Sequence, residues 1–508
     1  MNIAKTVDLK KLYIFTVPLL VLGVLGNVIA WLTLGILPDE AYYWVWSQRL
    51  ELSYYDHPPF VAWFIWPFVE LFGHSVVSVR LPTVLAWLLT SYLAFDFARR
   101  VYGNIHVGYL AVLIWTSMPI VMSGFHIVTP DSPFILFTWL VFYLVWRTVA
   151  EERYTWWLVV GTIAGLSMLS KYPAVLTYAA IFLALLFTSQ GRQHLATIWP
   201  WLGVLLGLLL FMPVVVWNWQ NEWISFAFQF QHGVQETISP EPLNMFLLFL
   251  GGQLGVVMPW TWLGMVWASI SSKGQELLQP FTRHLLRFGF WLPLIVFGAA
   301  GLTAKSGPNW PAAAYVTGTI LFSGLLYRIL FNGTRFRTWF GVTILFLGLV
   351  TIVLINALRF PAWMQTMGLD SLTTQRTQLS QAYDWPVVHR KLDELLPMLE
   401  KSHPMGESCL ILADNHARSA MLAWLLRAPE RVGLLSTGRM SQYQIWDRDV
   451  EVSPNIHCLY VHRYGWGRKP SDINEEIQTD GITWVSIDSL EVVNPDLSRR
   501  LYVFYVPK

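Results

Sequence analysis

"LPDEAYYWVWSQRLELSYYDHPP", Leu37 to Pro59, is the stretch on which the reading of this chain turns. It follows an apolar run near residues 13–35 and sets Asp39, Glu40 and Asp56 among Tyr42, Tyr43, Trp44, Trp46, Tyr54 and Tyr55. About 20 apolar residues suffice to cross a bilayer, so these acids stand directly behind a candidate span. Tyr and Trp rings favour the depth where headgroups meet water, which places the acids at a membrane surface. Neighbouring acids project about 100° apart on a helix, so only one of Asp39 and Glu40 faces a given ligand well.

The rest of the chain agrees with a membrane setting. Of 508 residues, 55% are apolar and 13% charged, with a mean hydropathy of +0.45; soluble domains carry about 25% charged residues. The expected class is an α-helical polytopic membrane protein. A net charge of +2 gives no reason to expect nucleic acid. Cys409 and Cys458 form no metal pattern, and one bridge between them is open only in an oxidising compartment. Runs of spanning length number about eleven, with the count open up to about 13. They lie near 13–35, 80–98, 107–125, 133–147, 156–170, 174–188, 198–217, 245–268, 286–303, 310–328 and 339–357. The first run follows Lys5, Lys10 and Lys11 without a small-residue cleavage site, which reads as a retained anchor.

Lys and Arg collect in short cytoplasmic loops. With a cytoplasmic N-terminus, one side gathers Arg99, Arg100, Arg147, Arg153, Arg192, Lys273, Arg283, Arg287, Arg328, Arg335 and Arg337. The other side holds Arg49, Arg80, Lys171, Lys305 and Arg359, four of them beside acids, prolines or aromatics. Beyond the last span the composition becomes polar. "SCLILAD", "IHCLYVH", "ITWVSID" and "RRLYVFYVP" read as strands and "HARSAMLAWLLR" as a helix. The expected organisation is therefore a membrane domain over 1–360, with a long first outer loop at 36–78, and a soluble extracytoplasmic α/β domain over 361–508. Within the loop, "FVAWFIWPFVELFG" suits a helix lying in the interface, opened by Pro58 and Pro59 and capped by Asp56.

Polar groups recur at the same outer face. "VTPDSPF" opens a span with Asp131, "LSKYPAV" breaks one at Lys171, and "TAKSGPNWPAAAY" breaks another at Lys305 and Asn309. Each has an ordinary explanation: Asp131 as a cap, the lysines as snorkelling anchors. Together they describe a cavity that holds a phosphate and removes a proton from an acceptor.

These motifs, "PDEAYYWVWSQRLELSYYDHPP", "VTPD", "SKYP" and "KSGPNWPAAAY", resemble the bacterial membrane glycosyltransferases of the protein mannosyltransferase and aminoarabinose transferase type, in the GT-C class. The resemblance implies a sugar donor carried on polyprenyl phosphate and a lipid, glycan or protein acceptor. It also implies transfer on the outer, periplasmic face of a bacterial inner membrane, with inversion. By the same resemblance Asp39 is the catalytic base with Glu40 beside it, Asp131 the second acid, and Lys305 the contact to the donor phosphate. Lys171 and Arg80 are further candidates for the phosphate, and Tyr42, Tyr43, Tyr55, Asp56, His57 and Asn309 for substrate. The aminoarabinose transferases follow the Asp-Glu pair with a basic residue, whereas "AYYW" follows here, so sugar and acceptor stay open. No cofactor is expected and an essential metal is not favoured, since no ligand spacing such as HExxH occurs. The competing class is a lipid or sugar transporter or flippase, which ordinarily shows repeated halves and midplane charges.

Overall fold

In the computed structural model the described residues are 21, 25, 35–233, 241–272, 275, 276, 278–302, 306–332, 385–402, 410–435, 439–446, 457–464, 476–479, 482–493 and 499–507. The runs near 13–35 and 339–357, Lys305 and Cys409 lie wholly or almost wholly outside them. Packing divides the chain into two units. One takes in Met1–Asn27, Leu52–Phe64 and Leu81–Leu347; the other takes in Val28–Glu51, Ile65–Arg80 and Gly348–Lys508. Two pieces of the first loop thus group with the C-terminal segment from Gly348 onward.

The helices before the sheet are α1 (Pro38–Gln48), α2 (Phe60–Phe72), α3 (Val76–Tyr102), α4 (Ile105–Ser117), α5 (Pro119–Gly124), α6 (Asp131–Ala150), α7 (Trp157–Ser170) and α8 (Ala174–Leu186). They continue with α9 (Ser189–Leu195), α10 (Trp199–Gln220), α11 (Ile224–Gly233), α12 (Pro242–Val257), α13 (Pro259–Ile270), α14 (Pro280–Ala300) and α15 (Ala314–Asn332). Every apolar run between 80 and 328 is helical. Among the described residues α3, α6 and α10 are long and apolar enough to cross a membrane. The pairs α8–α9 and α12–α13, bent by 110° and 102°, bring the total to 5 if each pair is one span. The bends have local causes. Thr188 caps α9 with its side chain, and Met258, at φ 75°, precedes Pro259.

The first unit's core is aromatic and aliphatic, with Trp115, Trp139, Phe134, Phe290 and Tyr315 buried. Close approach of α7 and α10 depends on glycine. A Cβ at Gly161 would lie 2.0 Å from the Gly203 carbonyl oxygen, and one at Gly203 would lie 2.3 Å from the Trp157 carbonyl. Small residues let helix backbones meet where lipid gives no hydrophobic drive to association. Gly161→Val is therefore expected to destabilise the unit by at least ~1–3 kcal/mol, read as a lower unfolding temperature in detergent. Gly251→Ala, where nothing lies within 4 Å of the new Cβ, is the control expected to leave it nearly unchanged.

The second unit contains α16 (Trp385–Ser402), β1 (Leu410–Ala413), α17 (His416–Leu426), β2 (Val432–Leu434), α18 (Gln442–Trp446), β3 (His457–Arg463), β4 (Glu476–Thr479), β5 (Ile482–Val493) and β6 (Arg499–Pro507). The strands form one six-stranded sheet in the order β2-β1-β3-β6-β5-β4. β1 runs parallel to β2 and β3, and the remaining pairs are antiparallel. Leu501, Val503 and Tyr505 alternate onto one face, where they pack with Leu412, Tyr460 and Trp484. The Trp385 ring of α16 lies 5.9 Å from the Tyr502 ring, and Lys391 reaches Asp488 at 2.6 Å. The segments expected as strands and as a helix are β1, β3, β5, β6 and α17; β2 and β4 are too short and too mixed in pattern to announce themselves.

Candidate active site

Two constellations collect the expected residues, one in each unit. In the second unit Glu40 is buried and its two carboxylate oxygens face Arg80, whose Nε donates to Oε1 at 2.8 Å and Nη2 to Oε2 at 2.6 Å. Both side chains are 1% exposed. The same carboxylate accepts the Leu37 N–H at 3.0 Å, and Arg80 Nη2 donates to the Gly35 carbonyl at 2.9 Å. A buried charge of this kind is stable only when paired and bonded on all sides. Arg80, a candidate for the donor phosphate, donates to Glu40 and to the backbone ahead of α1. Asp39, one position earlier and 100° around the helix, is half-buried.

In the first unit Asp131 opens α6 directly after Pro130. Lys171 sits in extended conformation at the break where α7 ends, ahead of α8. Its Nζ donates to Asp131 Oδ1 at 2.7 Å, while Asn309 Nδ2 donates to Oδ2 at 2.8 Å. The lysine and aspartate side chains are 10% and 18% exposed. Three residues spread over 178 positions thus meet at one carboxylate. Prolines stand near each of them in sequence, at 130, 173, 308 and 311; Pro130 and Pro173, in helical conformation, directly precede α6 and α8. Beside them lies a cavity of about 180 Å3, lined by Asp131, Ser132, Asn309, Trp115, Ile135 and Tyr315 among others. Its walls are mainly apolar and its polar end is the Asp131–Asn309 pair.

The other expected site residues occupy packed positions. The Tyr55 ring lies 4.7 Å from the Phe228 ring, tilted by 35°, and the Asp56 carbonyl accepts from Gln229 Nε2 at 2.5 Å. Asp56 is buried and His57 half-buried. Tyr42 and Tyr43 are 3% and 8% exposed. The Tyr42 hydroxyl accepts the Gln442 N–H at 2.7 Å, and its ring lies 4.9 Å from the His416 ring. The aromatic belt expected at the membrane surface is therefore, for these two tyrosines, internal packing of the second unit. The partners on α17 and α18 lay beyond sequence reasoning because nearly 400 residues separate them from α1. Among the described residues no three His, Cys, Asp or Glu side chains lie together as a metal site.

The same interface holds two neutral histidines. His416 is pushed down to about 4 from the ordinary 6.5, first by burial and then by Arg439 and Arg418. Burial, then Arg427, takes His74 to about 4 as well. Between pH 4 and 6.5 the unfolded chain binds these protons and the folded chain does not, so stability rises with pH across that window and is lost as pH falls through it. Thermal unfolding followed from pH 7 to pH 4 is expected to show a falling midpoint whose slope is smaller in His416→Gln. An unchanged slope in that variant would remove His416 from this account.

Comparison with known proteins bears on the class to which the chain is similar. Residues 56–217, which include Asp131 and Lys171, match the family model of dolichyl-phosphate-mannose-protein mannosyltransferases. The solved structure of ArnT from Cupriavidus metallidurans bound to undecaprenyl phosphate superposes with a TM-score of 0.62 at 15% identity, covering 96% of this chain and 97% of that one. The chain therefore shares the fold of that structure, the GT-C fold. It is 28% identical over 297 residues to the lipid A galacturonosyltransferase RgtD of Rhizobium johnstonii, covering 57% of this chain and 60% of the relative. It is 23% identical over 274 residues to the undecaprenyl phosphate-alpha-4-amino-4-deoxy-L-arabinose arabinosyl transferase 2 of Proteus mirabilis, covering 51% of this chain and 47% of that relative. The matched segments thus span about half to three fifths of these curated relatives.

Proposed function

We propose that the protein is an integral membrane glycosyltransferase that moves a sugar from a polyprenyl-phosphate donor to a lipid A-like glycolipid on the periplasmic face of a bacterial inner membrane, with inversion. The observation that carries this reading is the meeting of Asp131, Lys171 and Asn309 beside a largely apolar cavity. A polyprenyl-phosphate sugar already has a good leaving group, so catalysis consists of holding the phosphate, balancing its developing charge and activating the acceptor hydroxyl. Lys171, oriented by Asp131, supplies cationic charge to the phosphate, and Lys305 joins it by family resemblance. Asp39 takes the acceptor proton as the sugar–phosphate bond breaks; Glu40 and Arg80 hold the turn of α1 that carries it. The name of the Rhizobium relative supports a lipid A acceptor, and that of the Proteus relative an undecaprenyl-phosphate donor. About eleven spans, an N-terminus in the cytoplasm and an extracytoplasmic second unit complete the proposal.

The test is transfer of radiolabelled sugar in membranes of the source bacterium with and without the gene. Label passing from polyprenyl phosphate to a glycolipid only when the protein is present supports the reading. Label that reaches protein instead reassigns the acceptor, and equal transfer in both membranes overturns the proposal.

A further inference from the structure

We propose that the helices α17 and α18 of the C-terminal segment act as a clamp that positions α1 and its acids, with Tyr42, Trp424 and Gln442 as positioning residues. The inference rests on the assignment of Asp39 as the proton acceptor and deepens it. An eleven-residue helix is marginal by itself, so its tertiary contacts fix where it lies.

Those contacts are directional. Gln442 N–H donates to the Tyr42 hydroxyl at 2.7 Å in a buried setting, and the Tyr42 ring stacks on Tyr443 with centroids 6.1 Å apart. Trp44 meets Trp424 edge-on at 5.1 Å. His74, in the α2–α3 connection, stacks on Trp424 at 4.0 Å and meets Trp44 edge-on at 4.7 Å. Past the end of α1, Glu51 accepts from Trp446 Nε1 and, at 3.4 Å, from Gln442 Nε2. The Arg49 guanidinium lies 4.4 Å over the Trp446 ring. Asp39 stands three residues before Tyr42, one turn away on the same side of the helix. Any shift of the clamp is therefore delivered to the Asp39 carboxylate, and displacement of a reacting group by about 1 Å costs about 10²-fold in rate. The C-terminal segment is in this account a working part of the active site and not a separate module.

The experiment compares full-length Tyr42→Phe, Trp424→Phe and Trp424→Ala with Asp39→Asn, each purified and checked for monodispersity and unfolding temperature before kinetics on varied donor. The expected result for Trp424→Ala is a kcat lower by about tenfold or more with donor KM nearly unchanged, and for Trp424→Phe a partial return. Tyr42→Phe, which removes one hydroxyl and keeps the ring, lowers kcat in the same sense and stands in for Trp424→Ala if that variant does not fold. Wild-type kcat in both Tyr42→Phe and the folded Trp424 variants, with Asp39→Asn inactive, overturns the clamp and leaves the functional reading intact. Equal falls in kcat and in the folded fraction also overturn it, since they show a structural role only. If Asp39→Asn keeps wild-type turnover, it is the functional reading that has failed.

Discussion

Asp39→Asn is expected to lower turnover by about 10²- to 10⁴-fold while the protein still inserts and purifies normally. The change keeps size and a hydrogen-bonding oxygen and removes the proton acceptor. We place the base at Asp39 by the family resemblance; its neighbour Glu40 has both oxygens engaged by Arg80, and one also accepts Leu37 N–H. Glu40→Gln therefore has a different signature. It leaves Arg80 without its countercharge at 1% exposure, a loss of about 3–5 kcal/mol that appears as poor folding. The two variants are separated by measuring unfolding temperature and kcat on the same preparations. Turnover within a few-fold of wild type in Asp39→Asn excludes it as base.

The second large effect is expected at Asp131 and Lys171. Lys171→Ala removes the cation assigned to the donor phosphate and, among the described residues, leaves Asn309 Nδ2 as the side-chain donor to Asp131. Asp131→Asn keeps the shape and frees Lys171 from its orienting partner. Each single variant is expected to lose about 10²-fold or more in kcat/KM. The double variant is expected to lose far less than the product of the two, because groups 2.7 Å apart in one network couple strongly. A double-mutant cycle on purified protein gives the coupling directly. Losses that multiply assign the two residues to independent roles, and wild-type kinetics in Lys171→Ala assign the lysine to anchoring.

What was legible in the sequence follows the range over which each signal acts. Hydropathy marks helices locally, and each apolar run between 80 and 328 is a helix. The C-terminal strands were visible from their short β-rich pattern. Asp131, Lys171 and Asn309 were legible as companions because all three interrupt apolar runs beside prolines at one side of the expected bundle. Their actual bonding, a lysine and an amide on one carboxylate, was not, since spacing carries no such detail. The Arg80–Glu40 pair was not visible for the same reason: a cation next to a phosphate and a cation next to a glutamate look identical in sequence. Tyr42 and Tyr43 were read as interfacial because rings after a span ordinarily are. Their burial depends on α17 and α18, and no periodicity in the first loop encodes that. Helix lengths also departed from the ideal. The break at Met258 divides the run 245–268 that hydropathy alone reads as a single span, and Thr188 ends the run 174–188 at the turn into α9.

The central claim, cleavage of a polyprenyl-phosphate sugar and its transfer to a glycolipid, is tested most directly with purified protein in lipid nanodiscs. A synthetic polyprenyl-phosphate sugar of defined anomeric configuration and a lipid A acceptor are supplied, and products are identified by mass spectrometry and NMR. The account predicts that donor is consumed in step with polyprenyl phosphate and glycosylated lipid, that the new linkage has the opposite anomeric configuration, and that Asp39→Asn and Lys171→Ala abolish both products. Donor recovered intact, with its sugar–phosphate bond unbroken under conditions where the wild-type protein binds it, would contradict the account and point to a protein that carries the lipid without reacting it.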